Sequence, residues 1–349
     1  MNNYTPFLKF KTAEIGALKA LKDAELEAVT PFFDLATRKD ITDEDVKKTI
    51  IKGVRKYELN FKNSNGFYID DFDIDDSMRI NGSIVYEFLI QTFQEIDFIP
   101  VIGLDRTTQR INSVFNPLII SDTLAIRLNQ EDFISYTLIE DELAELLERA
   151  DSQYSKFHLL LDCRLCIDSG VVDLSTKLIQ LIQAISSDHH FEKIIISGSS
   201  IHASVAEILP VSSEALITRK ECNIFQMVTQ ELGDRFGFGD YTVISPNYSD
   251  ADIPKSALRK VMTAKVIYSY EDKHHFLRGG AIETHPRGAK QYDDMCLTLT
   301  SYVFYRGKAY SVGDEYIDTK SNGIGVDALP HSIGKYLINA HMTFMINDY

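Results

Sequence analysis

The run F-H-L-L-L-D-C at residues 157–163 is almost entirely apolar until it reaches an aspartate. A second run of this kind, K-I-I-I-S-G-S at residues 193–199, follows after a stretch with helical spacing. Near-continuous apolar runs of this length are typical of parallel strands that are buried on both faces. The pair therefore predicts a parallel sheet with a helix between neighbouring strands.

Six further runs repeat this pattern, and amphipathic stretches follow most of them. The runs are V-T-P-F-F-D-L from Val29, G-F-Y-I-D-D-F from Gly66, F-I-P-V-I-G-L-D from Phe98, L-A-I-R-L-N from Leu124, A-L-I-T-R-K from Ala215 and Y-T-V-I-S-P-N from Tyr241. Eight strand candidates that alternate with helices favour an α/β fold of the TIM-like (β/α)8 barrel type. A doubly wound open sheet is the alternative.

The alternation ends after Asn247, where a β-rich segment, a helical stretch and a Gly/Asn loop follow. We therefore predict two parts. Residues 1–260 form the (β/α)8-type barrel, and residues 261–349 form a C-terminal α+β extension that packs on it.

The charge balance of 36 Lys+Arg against 51 Asp+Glu excludes a broad surface for nucleic acid or anionic membranes, although not a local basic pocket. No apolar run approaches the roughly 20 residues that span a bilayer. Four cysteines are too few for a disulfide scaffold, and the first residues lack the pattern of a signal peptide. We expect a soluble cytoplasmic protein with no membrane partner.

Polar residues stand at the C-terminal ends of nearly all the predicted strands, where a parallel barrel carries its functional face. They are Asp34, Asp70 with Asp71 and Asp73, Asp105, Arg127 with Asn129, Asp162 with Arg164, Ser197 with Ser199, Arg219 and Ser245. Arg127 and Asp162 lie within apolar runs, and buried charges of this kind need partners. Either these residues converge on one binding bowl, or they form structural ion pairs between neighbouring strands.

Three local motifs are weaker evidence for a functional site. The acidic run at residues 68–77 has the oxygen ligands that Mg²⁺ or Ca²⁺ prefers, but it lacks the EF-hand pattern, and we interpret it as solvated loop charge. S-G-S-S-I-H-A-S at residues 197–204 suits an anion at a helix N-terminus, without the ending of a P-loop. C-R-L-C at residues 163–166 has no second cysteine pair, so we interpret both thiols as small apolar core residues.

The opening Y-T-P-F-L-K-F-K-T-A-E-I-G-A-L, residues 4–18, places two lysines two apart and a glutamate at the start of a helical pattern. Residues two apart on a strand share a face, so Lys9 and Lys11 are expected to point the same way. One reading is a solvated edge strand with a nearby ion pair. The other is a barrel-mouth segment that adds two cations, with Glu14 beside them, to the bowl of carboxylates.

This opening, with the T-P strand that follows it, resembles the phage and bacterial beta protein family. That family begins with an aromatic-x-P-x-L-K-x-K-x-x-E-x-x-A-L pattern. Later stretches are similar to its C-terminal half, among them F-G-D-Y at 238–241, F-L-R-G-G at 276–280, V-G-D-E-Y-I at 312–317 and I-N-A-H at 338–341. The chain departs from the family in having one histidine, His341, where a pair is usual, and in having no tryptophan. The resemblance implies an association with phages, mobile elements or antiviral defence, and no particular reaction.

Two functions fit these observations. The first is a barrel pocket for an anionic ligand, such as a nucleotide or a nucleic-acid end, with metal-assisted phosphodiester hydrolysis by Mg²⁺ or Mn²⁺ as one form of it. The alternative is a non-catalytic factor that binds a host or phage protein in phage–host conflict. An ordinary metabolic barrel enzyme ranks third.

For the first function we assign two sets of residues. The catalytic candidates, as general base or metal ligand, are Glu14, Asp34, Asp70 and Asp162. The ligand-binding candidates are Lys9, Lys11, Arg127, Ser197, Arg219, Arg278 and His341.

Overall fold

A computed structural model describes residues 4–38, 40–61, 66–93, 96–247 and 262–349. Eight strands close into a barrel in which every described pairing between neighbours is parallel. They are β1 Tyr4–Lys9, β2 Phe32–Asp34, β3 Tyr68–Asp70, β6 Ile99–Ile102, β7 Thr123–Asn129, β8 Lys156–Leu165, β9 Lys193–Ser199 and β11 Gly237–Asp240. The predicted TIM-like barrel is confirmed.

Helices surround the barrel and continue beyond it. They are α1 Thr12–Lys19, α2 Asp23–Glu27, α3 Asp43–Phe61, α4 Val85–Thr92, α5 Thr108–Ser113, α6 Glu140–Ala150, α7 Val171–Asp188, α8 Lys220–Leu232, α9 Gln291–Thr300, α10 Val312–Ser321 and α11 Pro330–Asn347. Short 3₁₀ helices cover Asp132–Ile134, Tyr136–Leu138, Val205–Glu207 and Gly288–Lys290. The helix α7 shows why they form: its buried residues, among them Leu174, Leu178 and Ile185, recur at helical spacing and make one apolar face.

The remaining strands lie outside the barrel. A hairpin joins β4 Arg79–Ile80 to β5 Ser83–Ile84. An antiparallel sheet has the order β10, β13, β12, formed by Ser213–Thr218, Lys273–Ala281 and Thr263–Tyr270. With α9 to α11, this sheet gives the C-terminal segment its predicted α+β character. No helix in the described ranges is long and apolar enough to cross a membrane.

Two expectations about the strands are corrected by the structure. The run from Ala215 is β10, an edge strand outside the barrel, and the run from Tyr241 begins just after β11 rather than forming a strand. Strands β1 and β11 take these two places in the barrel instead. The true strand β11 is hard to see in the sequence because it contains two glycines: a Cβ at Gly239 would lie 2.8 Å from the Phe7 ring.

The predicted boundary at residue 260 lies outside the described residues. The sheet of β10, β13 and β12 takes one strand from before that boundary and two from after it. The division into residues 1–260 and 261–349 stays a prediction.

The barrel interior has an apolar layer with a polar layer above it. The apolar layer is Phe7, Phe32, Tyr68, Val101, Ala125, Leu160, Ile195 and Tyr241. Side chains two apart on a strand point to the same face, so the residues that follow at that spacing also point inward. They include Lys9, Asp34, Asp70, Arg127, Asp162 and Ser197. The fold thus gathers charged side chains at the C-terminal end of the barrel.

Candidate functional site

The side chain of Arg127 fills the C-terminal end of the barrel and is only 2% exposed. Its Nη1 atom donates hydrogen bonds to Asp34 Oδ1 at 2.7 Å and to Asp70 Oδ2 at 2.9 Å. Its Nη2 atom donates to Asp162 Oδ2 at 2.6 Å and to the Tyr241 hydroxyl at 2.9 Å. Tyr241 in turn donates to Asp162 Oδ2 at 2.6 Å. One guanidinium therefore joins carboxylates from three strands.

The pKa values show that this network is ionic. Burial alone would raise the pKa of Asp70, yet three neighbouring guanidinium groups, led by Arg106, hold it at about 2. Burial likewise opposes ionisation of Asp162, but Arg127 and Arg164 lower its pKa. Burial disfavours the charge of Arg127 too, and its carboxylate partners raise its pKa well above the ordinary value. These groups are charged at neutral pH.

Two more arginines extend the network outward. Arg106 Nη2 binds Asp70 Oδ2 at 2.9 Å. Arg110, on α5, binds Asp70 Oδ1 at 3.2 Å through Nη2 and Asp71 Oδ1 at 2.6 Å through Nε. The guanidinium carbon of Arg110 also lies 3.2 Å from the ring centroid of Tyr86. Asp70 is therefore shared by Arg106, Arg110 and Arg127.

A loop at residues 71–78 lies over this end of the barrel, and Phe72 is its contact with the arginines. The guanidinium carbons of Arg106, Arg127 and Arg164 lie 4.6, 4.6 and 4.4 Å from the Phe72 ring centroid. Cations within about 6 Å of a ring face are attracted by its quadrupole. The half-buried phenyl ring thus holds three guanidinium groups around it.

The next residue of the loop, Asp73, binds two cations of the barrel. Its Oδ1 accepts from Arg164 Nη2 at 3.0 Å and its Oδ2 from Lys9 Nζ at 3.2 Å. Both cations also donate to the Pro246 carbonyl oxygen, at 3.4 Å and 3.1 Å respectively. Lys9 lies 3.6 Å from Asp34 as well. Lys9 and Arg164 therefore converge on one carboxylate that comes from a loop and not from a strand.

We call this assembly the mouth. It consists of Lys9, Asp34, Asp70, Asp71, Phe72, Asp73, Arg106, Arg110, Arg127, Asp162, Arg164 and Tyr241. Its five cations match its five carboxylates, and the exposed Asp105, 3.2 Å from Arg106, adds one more negative charge at the rim. A further anion at the mouth therefore has to replace a carboxylate that is already there.

The backbone is strained at Arg164 in the mouth and at Thr242, the residue that follows Tyr241. Arg164 and Thr242 adopt left-handed conformations, with φ of 46° and 55°. In each case an aspartate two residues earlier accepts the backbone N–H: Asp162 from Arg164 at 2.8 Å, and Asp240 from Thr242 at 2.9 Å. Strain of this kind costs about 1 kcal/mol or more per residue and clusters at functional sites.

Arg219 and His341 belong to a second, enclosed network, which we call the hub. Arg219 donates from Nη2 to Asp240 Oδ2 at 2.5 Å and from Nε to Glu221 at 3.2 Å. His341 Nε2 lies 2.9 Å from Asp240 Oδ2, and Tyr4 donates to Asp240 Oδ1 at 2.7 Å. All five side chains are buried. The hub joins the outer face of β11 to α11, so these two ligand-binding candidates do not lie at the mouth.

Lys11 and Glu14 do not lie at the mouth either. Strand β1 ends at Lys9, and Lys11 is the residue before α1, so the expectation that both lysines share one strand face is wrong. Lys9 points into the barrel, whereas Lys11 and Glu14 line a cavity between α1 and the C-terminal segment. We call it the outer cavity.

Two further candidates have separate surroundings. Ser197 donates to Asp162 Oδ1 at 3.1 Å, so it supports the mouth from beneath. Arg278 donates to the Leu209 carbonyl at 2.5 Å and lines a groove on the C-terminal segment with Glu214. Cys163 and Cys166 are free and buried, and burial raises the pKa of both thiols, as expected of core residues.

The acidic run has two kinds of residue. Asp70, Asp71 and Asp73 are ion-paired at the mouth, so the interpretation as solvated charge is wrong for them, and it is right for the exposed Asp75 and Asp76. Within the described part of the chain, no group of three or more His, Cys, Asp or Glu side chains is arranged to hold a metal ion.

Sequence reasoning missed four residues of the mouth: Arg106, Arg110, Phe72 and Tyr241. Arg106 directly follows the strand-end Asp105, so its place in the sequence could have indicated that it lies near the mouth. Arg110 lies on a helix and Tyr241 one residue beyond its strand. No spacing rule links either of them to Asp70 or Asp162.

One comparison with known proteins gives a family. The model of the family described as Beta protein matches residues 4–347. The chain belongs to the Beta protein family. No curated protein and no solved structure matches the chain. Membership in this family does not identify a reaction, a substrate or a ligand, so a function for the chain has to be argued from the geometry of its site.

Proposed function

We propose that the mouth binds the anionic group of a nucleotide or of a nucleic-acid end, and that this anion takes the place of Asp73. The observation that carries the proposal is the convergence of Lys9 and Arg164 on the Asp73 carboxylate. A carboxylate on a surface loop moves away more easily than one on a barrel strand, because fewer contacts hold the loop.

The two cations have partners that keep them in place when Asp73 leaves. Lys9 retains Asp34 and the Pro246 carbonyl, and Arg164 retains that same carbonyl and the Asn247 side chain at 3.2 Å. The buried Nη1 atom of Arg164 has no hydrogen-bond partner among the described residues. A phosphate group, with more oxygens than a carboxylate, has an acceptor for this unused donor.

The geometry favours binding over hydrolysis. Asp34, Asp70 and Asp162 all bind the Arg127 guanidinium, and the pKa of Asp70 is about 2. A general base works best with a pKa near the working pH, and a metal ligand needs carboxylate oxygens that are not shared with a cation. Metal-assisted hydrolysis with Mg²⁺ or Mn²⁺ stays a prediction that these contacts do not support. An association with phages, mobile elements or antiviral defence likewise belongs to the proposal.

The test is a binding screen by thermal shift and calorimetry with phosphate, pyrophosphate, nucleotides and terminally phosphorylated oligonucleotides. We expect at least one ligand to bind the wild type, and Lys9→Met and Arg164→Met to weaken it by about tenfold or more. Arg149→Met is the matched control, because Arg149 is exposed and its side chain donates to Asn112 at 2.8 Å, away from the mouth. Binding that survives in Arg164→Met, or no binding at all, contradicts the proposal.

A second candidate function is protein binding through the C-terminal segment. The rings of Tyr270 and Phe304 stack at 4.1 Å, Tyr302 stacks on Phe304 at 5.0 Å, and Val303 between them in sequence is fully exposed. Val303 and these half-buried rings form a partly exposed apolar surface, and such surfaces often mark interaction sites. Proximity labelling in the native cell with wild type and Val303→Asp tests it: a partner that the variant no longer labels supports this function.

A further inference from the structure

The outer cavity has a volume of about 630 Å³ and lies between the start of α1 and the C-terminal segment. The residues that line it come from the β1–α1 connection, α1, α3, the segment after β11, β12, α9 and α11. Pockets for small organic molecules typically have volumes of about 300–1,000 Å³. The outer cavity therefore has the size of a small-molecule site, and it is separate from the mouth.

Glu14 is the most informative side chain in this cavity. It is 7% exposed, and its Oε2 atom has no hydrogen-bond partner among the described residues. A buried carboxyl oxygen without a partner is costly, so native proteins rarely leave one. Burial raises the pKa of Glu14, although Lys11 opposes that shift. The Oε2 atom is thus open to a hydrogen bond with a group inside the cavity.

Cations surround the same space. Lys11, Lys52 and Lys265 line the cavity and remain accessible to solvent. The protein atoms packed around Lys11 and Lys265 lower the pKa of each ammonium group. Among the described lining residues, three lysines against one glutamate give a net positive charge.

The first turn of α1 provides backbone N–H donors next to these lysines. Thr12, Ala13 and Glu14 line the cavity, and no side chain of the described residues caps this helix at its N-terminus. The first N–H groups of a helix have no partner within the helix, and the helix dipole favours an anion there. Together with the lysines, this end of α1 suits one negatively charged head group.

The rest of the cavity is apolar. Phe10, Ile267, Ile333 and Leu337 lie along it, and no aspartate or arginine is among the described lining residues. We infer that the outer cavity binds a small amphipathic anion, whose apolar body lies against these side chains and whose head group lies among Lys11, Lys265 and the N-terminus of α1. This site is independent of the function proposed for the mouth.

Two dyes with the same apolar body test the inference. Anilinonaphthalene sulfonate carries an anionic group, and N-phenylnaphthylamine is the same ring system without it. Fluorescence titrations of the wild type should give an affinity for the anionic dye about tenfold or more above that for the neutral dye. Lys11→Met and Lys265→Met should each weaken the anionic dye about fivefold and leave the neutral dye unchanged. Lys308→Met, at an exposed lysine outside the cavity, should change neither.

A third variant fills the space. A Cβ built on Gly334, within α11, meets no heavy atom within 4 Å, so Gly334→Leu extends into the cavity without a clash at its first atom. Leucine also suits a helix better than glycine by roughly 0.8 kcal/mol, which favours folding of the variant. We expect Gly334→Leu to bind neither dye, with unchanged circular dichroism.

Three results would overturn the inference. The first is that the wild type binds both dyes with equal affinity. The second is that Lys11→Met and Lys265→Met bind the anionic dye as tightly as Lys308→Met does. The third is that folded Gly334→Leu still binds the anionic dye, which means that the dye binds adventitiously elsewhere. If Gly334→Leu does not fold, the two exposed lysine variants decide the outcome by themselves.

Discussion

Arg127 and Arg219 are both completely buried guanidinium groups, and each binds an aspartate at the C-terminal end of a barrel strand. In each case a tyrosine hydroxyl donates to the same aspartate: Tyr241 to Asp162 at the mouth, and Tyr4 to Asp240 at the hub. The two networks thus use the same chemistry on opposite faces of the barrel wall.

The networks differ in what covers them. At the hub, Arg219 also contacts the Met345 sulfur at 3.3 Å and lies 5.4 Å from the Tyr349 ring, so the C-terminal helix encloses it. At the mouth, the cover is a loop whose half-buried Phe72 and Asp73 lie on the cations. Access to solvent, and not the kind of residue, therefore separates a structural ion network from a candidate binding site.

The largest effect is expected when each arginine is replaced. Arg219→Met should lower the free energy of unfolding by about 3–5 kcal/mol, because it leaves Asp240 and Glu221 buried with fewer counter-charges. Arg127→Met should cost less, because Lys9 and its neighbouring arginines still neutralise the carboxylates of the mouth. Denaturant unfolding of both variants measures the difference. If Arg127→Met loses as much free energy of unfolding as Arg219→Met, or more, the difference drawn between the mouth and the hub is wrong.

Replacing the tyrosines should lower the free energy of unfolding in the same order, with a larger loss at the hub than at the mouth, but by smaller amounts. Tyr4→Phe should cost about 1.5–3 kcal/mol, since a hydrogen bond to a buried charged group is lost. Tyr241→Phe should cost about 1 kcal/mol, because Arg127 still donates to the same Asp162 oxygen from Nε at 3.1 Å and from Nη2 at 2.6 Å. The same unfolding measurements apply, with Tyr136→Phe as a control at an exposed bond to Asp188. A costlier Tyr241→Phe would show that the mouth is as closed as the hub.

Glu14 offers a third comparison, because it is a buried carboxyl group with no guanidinium partner among the described residues. Its pKa is raised above the ordinary 4.5, so its contribution to stability is greatest below that value and is lost as the pH rises through the folded-state pKa. Glu14→Gln should therefore be more stable than the wild type by roughly 1–2 kcal/mol near pH 8 and by little near pH 4. Thermal or denaturant unfolding across this range measures the gain.

The exposed Glu148 serves as the control for this experiment, because Glu148→Gln removes the same charge at the surface of α6. Its stability should differ little from the wild type at each pH. A gain for Glu14→Gln that is constant with pH would contradict a raised pKa.

The fold was largely predictable from the sequence because most barrel strands are buried on both faces, which leaves long apolar runs such as residues 157–163. Two barrel strands, β11 and β1, lack such a long apolar run for physical reasons. Strand β11 has glycine where Phe7 packs against it, and β1 carries lysine at its last position. The edge strand β10, by contrast, looks apolar although its residues alternate between half-buried and exposed.

The centre of the candidate site was predictable for a related reason. A charged residue within an apolar run, as with Arg127 and Asp162, must be buried and paired, and so the two were expected to meet partners. Which arginine binds which aspartate depends on register and on loop paths that carry no sequence signal. For that reason Lys11, Glu14, Arg219 and His341 were grouped with the mouth and lie elsewhere.

The exchange of Asp73 for a ligand anion is the central claim, and a calorimetric titration with pyrophosphate tests it most directly. Asp73→Asn should bind pyrophosphate at least about tenfold more tightly than the wild type, since Lys9 and Arg164 lose their internal anion. Asp76→Asn removes the same charge from the same loop at an exposed position, and it should change the affinity by less than about threefold. If Asp73→Asn binds no more tightly than the wild type, or gains no more than Asp76→Asn, the mouth is not an anion site.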